Sequence, residues 1–442
     1  MDKNKTSLKK DYIWNTVGSA VYALSSMVLA FFAMHFAGPD DGGVFSFGFS
    51  TVGQQMFIIA YFGIRPYHIT DTKHEYSYED YRKLRLITSG IAAIAALVYL
   101  AVMTFTGHYG FRKCSVIFLL VLYKICDAIA DLYESECQRI DKLYIGGMEL
   151  TFRTLLSAAV LCAAIVITKD LIVSSALAVG MQMICISFFR SYLVNKLMQP
   201  GECFRHGTDA GSSDDGHNDK ETRVPALVKS TLLIFLSVFV DFFIFSSAKY
   251  AVDFYMTDAD NGIFNILFMP TSVIYLAANF IIKPYMTRLA RVWDEKSYDS
   301  FQKAGRILFM YILIMSVIGV ALTYIIGKPV LHILETLLGA QYTGLLTSRH
   351  YEFIMIILGG CFYAVTNLYY YLLIIMRKQE MIFMNYLIMA IGTAILSRRA
   401  VTSYGMTGAA AAYAAYMLLL AIVFASTVKK NINIARGEEE AD

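Results

Sequence analysis

Residues 262–285 read GIFNILFMPTSVIYLAANFIIKPY, and residues 43–67 read GVFSFGFSTVGQQMFIIAYFGIRPY. The two stretches share a frame. Each opens G-[VI]-F and closes on a cation followed by Pro-Tyr. The opening glycine stands 21 residues before Lys283 in one copy and 22 before Arg65 in the other. Each copy also follows acids, Asp258 and Asp260 in the later one and Asp40-Asp41 in the earlier. Between their ends the residues are mostly apolar. About 20 such residues, wound as an α-helix, cross the ~30 Å hydrocarbon core of a bilayer. Both copies therefore read as spanning helices that end at a cation and a helix-breaking proline. A weaker match pairs Gln138-Arg139 with Arg377-Lys378. The chain reads as a tandem duplication.

Working outward from these blocks, apolar runs of spanning length lie at 12–37, 44–64, 84–107, 114–134, 149–168 and 170–194. They resume at 227–251, 262–286, 304–327, 350–375, 379–397 and 404–428. Spanning strands are excluded, because barrel strands are ~10 residues of alternating pattern. The fold class expected is all-α: a polytopic membrane protein of about twelve transmembrane helices in two repeat-related six-helix bundles. Six spans is an even number, so both copies enter from the same side, as a parallel repeat about an axis along the membrane normal. Two such bundles around a central cavity are the architecture of alternating-access transporters. Charge sets the orientation. With both termini cytoplasmic, 29 of the 38 Lys and Arg fall inside, eight fall outside, and Lys124 lies within a span. Cytoplasmic loops carry that excess.

Composition agrees. The chain of 442 residues is 57% hydrophobic and 17% charged, against ~25% charged in a soluble domain. Residues 199–225 break the pattern, being polar and rich in Gly, Ser and Asp. They read as a flexible cytoplasmic linker between an N-terminal bundle at 1–198 and a C-terminal bundle at 226–429. A cytoplasmic tail at 430–442 ends GEEEAD and is expected to lack structure. Residues 330–349, after Pro329, are too polar to span; a helix at the interface and packing against the bundle top both fit them. The first span, from Tyr12 to Ala37, is too long for a signal peptide and reads as uncleaved.

Several classes of function are excluded. A net charge of +3 does not suggest a nucleic-acid partner. The seven cysteines include no CxxC and no Cys/His metal spacing, so neither a disulfide framework nor a metal site is expected. No Walker, G-x-S-x-G or HExxH motif occurs, so neither ATP use nor a catalytic site is expected. The protein is read as a transporter without cofactor, not an enzyme.

Five segments carry a family resemblance: Asn15-Thr16-Val17-Gly18-Ser19, the GVFSF start at 43–47, Ser247 to Asp253 (SAKYAVD), the G-x-F-N to KPY region at 262–285, and Tyr404 to Ala410 (YGMTGAA). In this order, the chain resembles Wzx-like polysaccharide flippases of the multidrug/oligosaccharidyl-lipid/polysaccharide (MOP) exporter superfamily. The family often has fourteen spans, where twelve are counted here. The resemblance implies a flippase in the bacterial cell membrane. It would move a lipid-linked oligosaccharide, carried on undecaprenyl pyrophosphate, from the inner to the outer leaflet for surface polysaccharide export. Partners implied are membrane lipids and the glycosyltransferases and glycan polymerase of the same pathway. A cation-coupled multidrug exporter of the same superfamily stands as the alternative. A membrane glycan polymerase or ligase is disfavoured, because no large outer loop with reactive polar residues is present.

Such a substrate needs cations in a polar path, and ionisable groups inside spans are costly enough to mark function. In span four, Lys124, Asp127, Asp131 and Glu134 lie three, four and three apart, hence on one helical face. A cavity-facing stripe and an internal Lys124–Asp127 ion pair both fit. Arg65, Arg153 and Lys283, near cytoplasmic ends, can capture pyrophosphate or anchor to lipid phosphates. Asp241, mid-span, reads as a coupling-ion ligand, a partner for Lys124, or a structural hydrogen-bonder. Lys249 and Asp253 read as an i,i+4 pair, with Lys249 also a candidate release-side contact. Gln54, Gln55, Asn279 and Asn367 either line a sugar path or bond neighbouring helices.

Overall fold

The computed structural model describes residues 2–70, 76–192 and 224–441, with side chains of 10–69, 76–192 and 224–437. The described residues are almost wholly helical and contain no strand. The chain divides into two compact units, Met1–Phe235 and Leu236–Asp442. The expected linker lies outside the described residues except for its last two positions, which open a helix.

In the first unit, α1 (Asp2–Ala37) is followed by α2 (Pro39–Phe47), a π-helical turn at Gly48–Val52, α3 (Gly53–Tyr61) and the short α4 (Ile64–Thr70). Then come α5 (Tyr78–Phe105), α6 (Phe111–Arg139), α7 (Leu143–Thr168), α8 (Leu171–Tyr192) and the start of α9 (Val224–Tyr255). The second unit holds the rest of α9, α10 (Asp258–Ile282), α11 (Met286–Asp294), α12 (Tyr298–Leu338), α13 (His350–Ile375) and α14 (Gln379–Ala441). Among the described residues, ten stretches are long and apolar enough to cross a membrane. Helix α6 is long enough but too charged to count among them. The last stretch, 379–437, is a hairpin. Gly405 (φ 56°, ψ −136°) breaks α14, in a region of backbone space that side chains disfavour. Asn385 then reaches Thr427 at 3.0 Å and Asn431 reaches Met381 at 3.2 Å, so the two arms run antiparallel. Over the described residues, the twelve expected spans fall largely in helices, and the chain is a multi-pass membrane protein.

The helices turn large apolar residues outward and bury small and polar residues along with an apolar core. On α5, Ile91, Ile94 and Val98 are exposed while Arg85, Thr88, Ser89, Ala92 and Ala96 are buried. Small residues let backbones approach. A Cβ at Gly147 would stand 2.5 Å from the Trp14 backbone, so α1 lies directly on α7. Helix α6 is the hub, packed against α3, α5, α7 and α8. From Tyr123 to Cys137 every α6 residue except Ile129 is buried. In the second unit α13 is the matching hub, against α10, α12 and α14.

Two expectations are corrected. Residues 330–338 are not a separate interfacial helix: α12 runs on through Pro329 to Leu338. The loop beyond packs down, with Tyr342 and Leu346 fully buried. Glu335 holds it by accepting from the Leu346 and Thr347 amides at 2.7 and 2.6 Å. The tail is not without structure, because α14 stays helical to Ala441.

Candidate functional site

The first unit holds a buried charge network built around α6. Its Lys124, Asp127, Asp131 and Glu134 share one face, as their spacing requires, and each is at least nine-tenths buried. Arg153 of α7 meets them. Its guanidinium donates to Asp127, to Glu134 at 3.2 Å, to Glu149 one turn earlier at 2.8 Å, and to Gln182 of α8 at 2.8 Å. Asp131 is shared by two arginines, with Arg65 on Oδ1 at 2.6 Å and Arg85 on Oδ2 at 3.0 Å. Arg65 also reaches Glu134 and Gln138, both at 3.4 Å. Lys124 lies 3.7 Å from Asp127 and 3.4 Å from the Tyr22 hydroxyl, which itself donates to Asp127. The π-helical turn puts Phe49 under the ammonium, 4.0 Å from ring centroid to Nζ. Four cations (Arg65, Arg85, Lys124, Arg153) thus face four carboxylates (Asp127, Asp131, Glu134, Glu149). A balanced set is what a low-dielectric interior tolerates, since an unpaired buried ion costs several kcal/mol. Only Arg65 keeps an accessible edge, its side chain 26% exposed.

The second unit is built differently, from rings with few charges. Asp241 of α9 accepts from the Tyr363 hydroxyl at 2.7 Å, and Tyr275 stacks on Tyr363 at 5.5 Å. The other Asp241 oxygen is buried without a hydrogen-bond partner among the described residues. Lys249 is 6% exposed. Its Nζ lies 4.6 Å from the Phe268 ring centroid and 5.8 Å from that of Phe245, with no acid or acceptor among the described residues. Asn279 accepts from Asn367 at 3.4 Å and from Tyr371 at 3.1 Å.

Several sequence expectations need correction. Lys124 and Asp241, expected as possible partners, each find their partners within their own unit. Lys249 and Asp253 do not pair, because Asp253 takes the Asn261 amide at 3.0 Å instead. Arg153, expected near a cytoplasmic end, is 2% exposed inside the network. Arg65 and Lys283, matched by the repeat, differ in environment. In the first copy the helix breaks before the motif, at Phe62 (φ 52°) and Gly63 (φ 66°), and α4 restarts with Arg65 turned into the network. In the second copy the helix runs unbroken to a 3-10 turn, Lys283–Tyr285, and Lys283 is exposed. Gln55 is buried and Gln54 half-buried on α3. Arg85, Glu149, Gln182, Tyr22 and Tyr363 are site residues that reading by motif misses. Arg85 was legible: it shares the small-residue face of α5, at helical spacing from Thr88, Ser89 and Ala92.

No family model matches the chain, and no curated protein sequence does. Solved structures do. One is a multidrug resistance MATE family transporter of the MOP superfamily in an inward-facing conformation: TM-score 0.68, 12% identity, covering 96% of this chain and 99% of that one. Another is the lipid II flippase MurJ in an inward closed conformation: TM-score 0.63, 13% identity, covering 94% and 87%. A third is the Vibrio cholerae MATE transporter VcmN in the bent form: TM-score 0.59, 12% identity, covering 98% and 99%. At these identities the likeness establishes the fold. The chain has the polytopic all-helical fold that MATE transporters and MurJ share.

Proposed function

We propose that the protein flips a polyprenyl-pyrophosphate-linked oligosaccharide from the inner to the outer leaflet of the bacterial cell membrane, by alternating access, for surface polysaccharide export. Both termini are cytoplasmic in this reading, and pathway glycosyltransferases and a polymerase supply and consume the substrate. One observation carries it: spanning helices hold buried cations, of which Arg65 is accessible at its edge and Lys249 has no counter-anion among the described residues. A pyrophosphate head is the ligand such cations suit, because the charge-assisted bonds form away from bulk water. Arg65 already holds two carboxylates through one guanidinium nitrogen, and its planar donor fork matches phosphate equally well. A lipid II flippase of the same fold supports a lipid-linked substrate. Lys124 and Arg153 hold the carboxylate stripe behind Arg65, and Asn279, Asn367, Gln54 and Gln55 offer hydrogen bonds to sugar hydroxyls.

Asp241 favours a second reading, a cation-coupled multidrug exporter, since a buried carboxylate among aromatic rings suits an organic cation. One experiment separates the two. Purified protein in liposomes is given a fluorescent lipid-linked oligosaccharide, and an external glycosidase reports exposure. A parallel arm measures ethidium efflux under proton and sodium gradients. The flippase reading expects glycosidase access that depends on the protein. Ethidium efflux without oligosaccharide exposure would sink it.

A further inference from the structure

Three helices of the second unit, α12, α13 and the arm of α14 after Gly405, enclose a groove of about 800 Å³. Its walls are hydrocarbon, among them Leu313, Val317, Val320, Ile354, Phe362 and Ile422. Val317 and Ile422 are 60% and 52% exposed, so the groove opens sideways off the helices. It does not stop at an apolar end. Phe309, Tyr369 and Ala425 also line an adjoining cavity of about 500 Å³ that takes in Arg306 and Lys429, and Lys430 stands beside Lys429 in a further hollow. From Phe309 to Tyr324 α12 rises about 22 Å, most of the ~30 Å hydrocarbon core. The feature is a long apolar slot with cations at one mouth.

Those cations are uncommitted. Arg306, Lys429 and Lys430 make no ion pair among the described residues. The acid at that end of α12, Asp299, is held by Arg436 of α14 at 2.5 Å. The slot's hydrocarbon walls and sideways opening suit a hydrocarbon chain lying along α12. The charged mouth requires that chain to carry a negative head, because basic residues at the membrane surface attract anionic lipid.

We propose that this groove is a binding site for an anionic phospholipid, with an acyl chain along α12 and α14 and the phosphate between Arg306, Lys429 and Lys430. The inference goes beyond the transport reading and does not depend on which substrate is moved. The site lies wholly within the second unit and belongs to a resident lipid.

The test is native mass spectrometry of the purified full-length protein with equal phosphatidylglycerol and phosphatidylcholine. Phosphatidylglycerol is retained over phosphatidylcholine by at least about tenfold, as two or three surface cations allow. The Arg306→Gln/Lys429→Gln/Lys430→Gln variant loses that preference, while Arg288→Gln/Arg291→Gln, which neutralises cations of α11 outside the groove, keeps it. Ala425→Trp, which fills the slot, lowers retention of both lipids. Melting temperatures confirm that each variant is folded, and Arg306→Lys retains the preference should the triple variant not fold. Equal retention of the two lipids, or a preference that survives the triple variant, overturns the proposal. So does displacement of phosphatidylglycerol by polyprenyl phosphate but not by phosphatidic acid, which would give the groove to the carrier lipid.

Discussion

Arg153 receives more of the first unit's negative charge than any other side chain, contacting Asp127, Glu134 and Glu149. Replacing it with Met leaves buried carboxylates facing one another and should cost about 3–5 kcal/mol. Lys124→Met should cost less, since its one carboxylate, Asp127, keeps Arg153 and Tyr22. Melting temperatures in detergent check the order; equal losses would mean that the network is not organised around Arg153. Lys249 gives the opposite sign. It is buried over rings with no acid, so Lys249→Met removes a desolvation cost. The variant should melt higher, by a stability gain of about 1–4 kcal/mol, while slowing transport of an anionic substrate. A lower melting temperature would show that the ammonium's contacts with the Phe268 and Phe245 rings outweigh its desolvation. At this scale the sequence was legible where period decides. The three-four-three spacing put the α6 charges on one face before any contact was known. It failed where loop geometry decides: nothing in Arg65-Pro66-Tyr67 against Lys283-Pro284-Tyr285 encodes the left-handed break at Phe62 that turns one cation inward. Glu149 and Arg153 stand four apart in one helix and were readable as a pair.

Elements here are placed by their glycines as much as by their apolar faces. The α14 hairpin turns where a Cβ on Gly408 would lie 2.0 Å from the Ala400 carbonyl oxygen. Gly408→Ala must therefore open the turn. Gly405→Ala places a side chain at φ 56°, ψ −136°, at a cost of about 1–3 kcal/mol. Both variants should lower the melting temperature. A cysteine pair at 385 and 427 should crosslink in the parent and less readily in Gly408→Ala; undiminished crosslinking would refute the turn's role. The spans themselves followed from hydropathy, because a bilayer imposes length and apolarity on every helix. Hydropathy could not foresee that α12 continues through Pro329. A proline there is tolerated because its missing amide bond is one among many in a helix of 41 residues, and the buried Leu331 and Leu338 anchor the last turns.

For the molecule as a whole, the duplicated frame gave two units of similar plan and different chemistry. Each is organised around one hub helix, α6 or α13. The first saturates its hub with ion pairs, and the second surrounds its own with tyrosine and phenylalanine. On the proposed function, transport should therefore respond unequally to the two halves. In the liposome assay, Arg65→Gln should slow exposure of a pyrophosphate-headed lipid at least about tenfold, the loss of one charge-assisted contact of about 1.5–3 kcal/mol. A Lys283→Gln variant, at an exposed position, should transport nearly as the parent does. Equal loss in both would mean that the repeat motif, and not its burial, sets the role.

The charged hub also has a consequence for biosynthesis. A lone helix that carries Lys124 and Asp127 near its midpoint partitions poorly from the translocon into lipid, at a cost of about 5–7 kcal/mol for those two residues. The arginine that offsets this arrives only with α7, the next helix to be made. Helix α6 should therefore wait at the translocon or slip back until α7 emerges, and the two should enter the bilayer together. A helix-insertion reporter carrying α6 alone should show poor insertion, and one carrying α6 with α7 should not. The same ion pairs that hold the folded unit would then set the order of its insertion.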